Sequence, residues 1–304
     1  MAIQYSGGTN INTTFTCTVG TRQEIVTGLE DALNSCGWTT ISGHHTSNVL
    51  LESATTPSPQ SLVCRVQLQD PGSGNCAQVR FRNQGNTKAQ ANQFFLYPSA
   101  GKVYRVIACP YQFFCFSSDS ITTGRTYVAG GVPYLPSFLQ GVVTECIWSQ
   151  GNCTNSDSST SNPPSFRNAS YTGSDTNECN QWHTVNGNQN EIYGFFGGGG
   201  SYTGTQNLMQ QNGPQAQFQN GRYPTYRWHD GSLLTYEPLI CWGLTGPADE
   251  SLIRGQLWDA AMISGQIVAD QTTSFDSHNW WVFTNNVYWV GASILGSTLV
   301  LVTP

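Results

Sequence analysis

Charged side chains are scarce in this chain of 304 residues. Only 10% of its residues are Asp, Glu, Lys or Arg, against roughly 25% in a typical soluble protein. Lysine occurs only at Lys88 and Lys102. Because a lysine buried at an interface costs desolvation and side-chain entropy, this scarcity favours a subunit with extensive contacts to its neighbours. A secreted protein that simply avoids charge is the alternative.

Basic clusters that could attract phosphate groups are lacking as well. The twelve basic residues are scattered along the chain, and the formal net charge is -6. The aromatic residues are not interleaved with basic ones, as they are in proteins that bind single-stranded nucleic acid. We therefore expect no nucleic-acid partner.

Long hydrophobic runs do not occur. The most apolar tract, residues 289–302, is interrupted by Gly, Ser and Thr and is shorter than the roughly 20 residues that span a bilayer. Residues 1–20 lack the basic start and the apolar run of a secretory signal. We expect no membrane span, and either a removed signal or an export route that needs none.

The sequence shows no motif of established chemistry. It has no Gly-x-Ser-x-Gly elbow, no phosphate-binding glycine loop with lysine, and no His-Glu-x-x-His pair. Asp249, Glu250 and Asp259 could supply an acid/base pair of the glycosidase kind, but ordinary surface carboxylates are the preferred interpretation. We predict no catalytic residue and no cofactor, so the chain is not expected to be an enzyme.

Cysteine and histidine are residues of this chain that could form a transition-metal site. No Cys-x-x-Cys pair or nearby Cys-His set of zinc-finger form is present. His44 and His45 are adjacent in a predicted loop and could bind a metal ion, but two ligands without a nearby carboxylate or thiolate make a weak site. Solvated loop histidines are the preferred interpretation, and we predict no metal.

The ten cysteines leave the redox state open. An even number in a chain with few charges favours disulfides, whereas assembly in a reducing cytoplasm would leave buried thiols. Cys146 and Cys153 are the candidate disulfide pair, because Gly151 and Asn152 between them can turn the chain back.

The first part of the chain predicts a helix followed by strands. Thr21 and Glu24 form a capping-box pattern, a single apolar face follows, and Gly37 supplies a stop, so a helix is predicted over residues 22–35. Strands are predicted at residues 38–41, 49–53, 62–68, 77–82, 103–109 and 111–116. We expect the helix to cover one face of this sheet, so that residues 1–120 form an α+β sandwich domain.

The second part, residues 121–304, is predicted to be a β-rich domain with Ser-, Asn- and Gly-rich loops. The polar tract at 149–190 and the four glycines at 197–200 belong to these loops. Strands are predicted at residues 252–261, 280–283, 287–290 and 298–302. The predicted fold class is thus α+β: an N-terminal helix packed on an antiparallel sheet, followed by a mainly β C-terminal domain with long ordered loops.

One segment combines the side chains that binding surfaces favour. Tyr223, Tyr226, Arg227, Trp228 and His229 lie close together beside a proline. They form a candidate binding or interface loop, and a packed interface loop is the preferred interpretation.

Three segments together resemble a group of tailed-bacteriophage virion proteins. They are residues 65–76 (RVQLQDPGSGNC), 101–114 (GKVYRVIACPYQFF) and 254–260 (RGQLWDA). The resemblance implies a neck, tail or baseplate-type subunit that acts by symmetric self-association. Its partners would be copies of itself and other virion proteins, and its location would be the virion, assembled in the host cytoplasm and then extracellular. No functional residue is carried over.

Two alternatives stay open. A receptor- or carbohydrate-binding adhesin could use Tyr223, Tyr226, Trp228, Trp280 and Trp281 as flat faces for sugar rings, which requires these side chains to be exposed. A secreted, cysteine-rich hydrolase would instead require a pocket with paired carboxylates, or with a nucleophile beside a base.

Overall fold

The structure is a computed structural model. It describes residues 2–83, 94–118, 127–140, 147–151, 182–184, 192–195, 236–243, 252–264, 270–285 and 297–304. These residues form seventeen β-strands, one α-helix and one short 3-10 helix at Ser137–Leu139. The strands belong to two sheets whose ladders are antiparallel.

The smaller sheet has five strands that follow one another both in sequence and in space. They are β2 (Thr39–Ser42), β3 (Asn48–Glu52), β4 (Cys64–Gln69), β5 (Ala77–Asn83) and β6 (Phe94–Leu96). β4 alternates strictly between buried and half-buried residues, as a strand with one packed face does.

The larger sheet has twelve strands in the order β1-β7-β8-β9-β10-β11-β12-β13-β14-β17-β16-β15. Its first members are β1 (Ile11–Cys17), β7 (Lys102–Ala108), β8 (Gln112–Ser117), β9 (Tyr127–Gly131), β10 (Ile147–Gly151) and β11 (Trp182–Thr184). The others are β12 (Ile192–Phe195), β13 (Tyr236–Gly243), β14 (Leu252–Ser264), β15 (Thr272–Phe275), β16 (His278–Asn285) and β17 (Ser297–Thr303).

The helix α1 (Arg22–Asn34) begins where the capping pattern predicts. The Glu24 amide donates to the Thr21 hydroxyl at 3.3 Å, and the Glu24 carboxylate accepts from the Thr21 amide at 2.8 Å. Two otherwise unpaired donors of the first turn are thereby satisfied. The predicted helix is confirmed, with Ser35 as its C-cap.

The α+β fold class is wrong, because the chain is mainly β. The described residues form a single α-helix, of 13 residues, against seventeen strands. The six strands expected to form one sheet under the helix divide between two sheets: β2 to β5 lie in the smaller sheet, and β7 and β8 in the larger. Alternation in a sequence reports the two faces of a strand but not its partner, so the pattern could not reveal this division.

The main hydrophobic core is shared by α1 and both sheets. The helix contributes Ile25, Val26, Leu29, Ala32 and Leu33; the smaller sheet contributes Val49, Leu51, Val66, Leu68, Val79 and Phe81; the larger sheet contributes Tyr104, Val106, Phe113, Cys115 and Val128. The helix is therefore one component of a core between strands, and it does not form a layer over a separate N-terminal sheet.

Nine of the ten predicted strands are present with shifts of at most two residues at each end, except that β14 ends three residues later than predicted. The tenth, at residues 287–290, and the polar tracts at 149–190 and 197–200 lie wholly or largely outside the described residues. The larger sheet takes strands from both sides of residue 120. The division into domains 1–120 and 121–304 stays a prediction.

Candidate functional site

The loop between β2 and β3 folds back over the second half of α1. Gly43 has φ +74°, and a Cβ there would lie 2.0 Å from the Asn48 carbonyl oxygen, so only glycine fits this turn. His45 also has a positive φ, of 54°, which is uncommon outside glycine, although Asn, Asp and His adopt it more often than other residues do. Together these two residues bring the loop to the helix.

His44 bonds a buried carboxylate on the helix. Its Nδ1 lies 2.8 Å from Oε1 of Glu30. The Glu30 side chain is fully buried, whereas the His44 side chain is 64% exposed. Glu30 also accepts from the Thr40 hydroxyl at 2.8 Å and from the His45 amide at 3.0 Å. The buried carboxylate is thus fully bonded, as a buried charge requires.

His45 bonds the next residue of the helix. Its Nε2 lies 2.7 Å from Oδ1 of Asp31, with both side chains about half exposed. The rings of His44 and His45 are stacked, with 3.9 Å between their centroids. One donor atom each from Glu30, His44 and His45 lie within 4.8 Å of one another. We call Glu30, Asp31, His44 and His45 the histidine–carboxylate cluster.

The electrostatics of the cluster follow from these bonds. Burial of Glu30 opposes its charged form, but hydrogen bonds from His44, Thr40 and His45 outweigh burial and hold the pKa of Glu30 below its usual value. The hydrogen bond to Asp31 raises the pKa of His45. The first shift favours the carboxylate form of Glu30 and the second favours the protonated form of His45, so the cluster stabilises charge of both signs.

The sequence-based interpretation of His44 and His45 rested on the lack of a nearby carboxylate, and this reason is wrong. Glu30 and Asp31 lie on the helix, fourteen residues before the histidines that they bond. The signal in the sequence was two adjacent acidic residues near the end of a predicted helix without a basic residue in its last turn. Carboxylates are unfavourable at that end of a helix, so they need a positive partner.

A second polar cluster surrounds Asp259 in β14. Asp259 is only 6% exposed, so its interpretation as a surface carboxylate is wrong. Its Oδ1 accepts from the Ser6 amide at 3.0 Å, and its own amide donates to the Gln4 carbonyl at 2.8 Å. Burial raises the pKa of Asp259 above its usual value, although bonds to Ser6 and Cys109 act in the opposite direction.

The Asp259 cluster holds the N-terminal segment and leaves little space. A cavity of about 10 Å³ lies beside it, lined by Asn10, Cys109, Gln112 and Trp258 among others. That volume is about what one water molecule needs, and it is too small for a substrate. Asp249 and Glu250 lie outside the described residues.

The aromatic residues proposed as sugar platforms are only partly described. Trp280 and Trp281 are both buried, and Trp281 stacks against Arg105, whose guanidinium carbon lies 3.9 Å from the ring centroid. These two side chains are core components and do not offer a face to a sugar ring. The candidate loop of Tyr223, Tyr226, Arg227, Trp228 and His229 lies outside the described residues.

The structure describes the thiols of six of the ten cysteines. Cys17, Cys36, Cys64, Cys76, Cys109 and Cys115 carry free thiols, and all but Cys76 are buried. The candidate disulfide pair of Cys146 and Cys153 lies outside the described residues, so that pairing stays a prediction.

The described residues include no helix with the length and apolar character that crossing a bilayer requires. Comparison with known proteins gives no relative, since neither a family model nor a curated protein matches this chain.

Proposed function

We propose that this chain is a structural component of a bacteriophage virion, in the neck, tail or baseplate. It acts by symmetric self-association and by docking to other virion proteins, and its role is geometric, not enzymatic. The observation that carries the proposal is that the edge strands of both sheets lack charged residues.

Within the part of the chain that the structure describes, the outer strands of the larger sheet are β1 and β15, and those of the smaller sheet are β2 and β6. Their sequences are INTTFTC, TTSF, TTIS and FFL, without a single Lys, Arg, Asp, Glu or Pro. Monomeric proteins protect such edges with charged residues or proline, because unpaired backbone groups invite another strand. Uncharged edges therefore support assembly by strand pairing between subunits.

The edge at β15 offers its backbone groups in a defined register. Asp276 and Ser277 both have positive φ, 51° and 59°, so they form the two-residue turn that joins β15 to β16. Phe275 pairs with His278, and Thr273 pairs with Trp280. Bonded and non-bonded pairs alternate in an antiparallel ladder, so the backbone groups of Thr272 and Ser274 point away from β16.

Composition and resemblance agree with this proposal. A surface with few charges loses little solvation when it is covered by a neighbour. Two of the three segments that resemble phage virion proteins, residues 101–114 and 254–260, include β7, much of β8 and part of β14 in the larger sheet. These are interior strands of the sheet whose outer strands the proposal uses as contacts.

The proposal is tested by measuring assembly of the purified chain and of two variants at one edge position. Thr272→Pro removes an outward-pointing N–H that the β15–β16 ladder does not use. Thr272→Val keeps that N–H and the strand preference, and it serves as the matched control. Sedimentation velocity and negative-stain electron microscopy are expected to show symmetric oligomers for the wild type and Thr272→Val.

Thr272→Pro is expected to shift the population to smaller species, with an unchanged melting temperature. The proposal would be contradicted if the wild type stayed monomeric at high concentration. The wild type would have to stay monomeric both alone and when mixed with lysates of phage-infected cells that contain virion precursors. Equal assembly of all three proteins would exclude the β15 edge as the contact and would contradict assembly through that edge.

A further inference from the structure

The histidine–carboxylate cluster has the composition of a transition-metal site. Its three donor atoms, one each from Glu30, His44 and His45, already lie within 4.8 Å of one another. In a tetrahedral zinc site with bonds of about 2.0–2.1 Å, ligand atoms are about 3.3 Å apart. To reach that separation, the partly exposed rings of His44 and His45 would have to rotate.

The donor types narrow the choice of ion. Imidazole nitrogens together with a carboxylate oxygen suit zinc, copper, nickel and cobalt, whereas magnesium and calcium prefer oxygen ligands alone. The exposed side of His44 and His45 leaves room for water as the remaining ligand, since their side chains are 64% and 46% exposed. Zinc with two histidines and one carboxylate fits this set.

The charges of the surroundings favour a cation at the same point. Glu30 and Asp31 lie near the C-terminal end of α1, where the helix dipole is negative, and the last turn has no basic residue. Glu30 is fully buried, so its charge is poorly compensated by solvent. A divalent cation bound beside Glu30 would offset both the carboxylate charges and the dipole.

Asp31 plays a different part from Glu30. Its Oδ1 lies 2.7 Å from Nε2 of His45, and a carboxylate in this position holds the proton on Nε2. The lone pair of His45 then lies on Nδ1, where a metal can bind. Outer carboxylates orient metal-binding histidines in this way in many proteins.

We propose that Glu30, His44 and His45 bind one divalent transition-metal ion, with zinc as the preferred ion, and that Asp31 orients His45. The ion would replace the direct contact between His44 and Glu30 and would tie the β2–β3 loop to α1. This site is independent of the proposed virion role, because it lies within one chain.

Binding is measured on the full chain after treatment with a chelator and dialysis. Zinc is titrated by calorimetry, and cobalt is titrated by visible absorption, since tetrahedral cobalt gives strong d–d bands. The expected result for the wild type is saturable binding at these ligands with one ion per chain.

Two variants remove a ligand while keeping the local structure. His44→Gln retains a side-chain donor for Glu30 but loses the imidazole. His45→Asn tolerates the positive φ and also loses the imidazole. Each is expected to weaken zinc binding by at least about tenfold, and Asp31→Ala by about tenfold. The control His278→Gln changes a ring that stacks on Tyr5 in another part of the fold, and it should bind as the wild type does.

Circular dichroism of the metal-free variants tests whether they are folded. If the His45→Asn variant is not folded, the zinc affinity of His44→Gln decides the test. Absence of saturable binding by the wild type would overturn the proposal. So would binding that His44→Gln leaves unchanged, since the ion would then lie at other residues.

Discussion

The side-chain amide of Gln112 is paired with both backbone groups of Trp258. Its nitrogen donates to the Trp258 carbonyl, and its oxygen accepts from the Trp258 amide at 3.1 Å. The ring of Tyr111 lies 5.0 Å from that of Trp258. A residue of β8 and a residue of β14 therefore meet here although they are 146 positions apart in the chain.

Replacement of Gln112 should be strongly destabilising. Gln112 is only 5% exposed, so Gln112→Leu leaves the amide and the carbonyl of Trp258 buried without partners. The expected loss is about 3 kcal/mol of unfolding free energy, measured by chemical denaturation. As a control, Gln67→Leu removes a bond between Gln67 and Asn48 on an exposed surface and should change stability by less than about 0.5 kcal/mol. Equal losses in the two variants would contradict the importance of the Gln112 pairing.

Gly131 at the end of β9 is predicted to tolerate no side chain. It has φ +148°, and a Cβ there would lie 2.1 Å from the Tyr111 carbonyl oxygen. Gly131→Ala should cost about 3 kcal/mol or more, from backbone strain together with the clash. Gly72 has φ +74° with open space around it, so Gly72→Ala isolates the strain, at about 1 kcal/mol. Thermal and denaturant unfolding would measure both, and a Gly131→Ala loss no larger than that of Gly72→Ala would show that the clash is relieved.

Local features of the fold could be predicted from the sequence, because each depends on residues that are close in the chain. The capping box of Thr21 and Glu24 determined where α1 begins, and alternation in β4 identified a strand with one packed face. β1 was missed, since its polar INTTFTC sequence carries little hydrophobic signal. Strand pairing was not predictable, because β1 pairs with β7 across about 90 residues.

The candidate site could also be predicted only in part, because its contacts join residues that are distant in the chain. The sequence shows His44 and His45 as an adjacent pair, but their carboxylate partners depend on how the turn at Gly43 places the loop against α1. Gln112 stands out in the sequence only as an amide side chain at the start of a mainly apolar, aromatic strand. Such a residue is expected to have a buried partner, yet the sequence does not say which one.

Acid should remove a defined contribution to stability at the start of α1. The carboxylate of Glu24 accepts from the amides of Thr21, Gly20 and Val19 at 2.8–2.9 Å. These bonds lower its pKa from 4.5 to about 2. Because the folded-state pKa is the lower one, the stabilisation is complete above about pH 4.5 and is lost as the pH falls towards 2.

The pH dependence is measured by unfolding the wild type and Glu24→Gln between pH 2 and pH 7. The wild type should be the more stable protein at neutral pH, and the difference between the two should shrink as the pH falls. A difference that stays constant over this range would show that the charge of Glu24 does not contribute.

The buried cysteines with free thiols should be protected from alkylation. Burial raises the pKa of Cys36 to about 12 and that of Cys17 to about 11, and it also raises the pKa values of Cys109 and Cys115. Because the thiolate is the reactive form, iodoacetamide at pH 8 should leave these four unmodified in the folded protein. Cys76 is half-buried and should react first.

Labelling after denaturation separates protected thiols from disulfides. In denaturant without a reductant, peptide mass spectrometry should find all six cysteines alkylated, because free thiols need only exposure whereas disulfides need reduction. Labelling with and without reductant therefore gives the redox state of each cysteine, including Cys146 and Cys153. If Cys36 or Cys109 were labelled only after reduction, that residue would form a disulfide in the folded chain, in disagreement with the free thiols that the structure assigns to both.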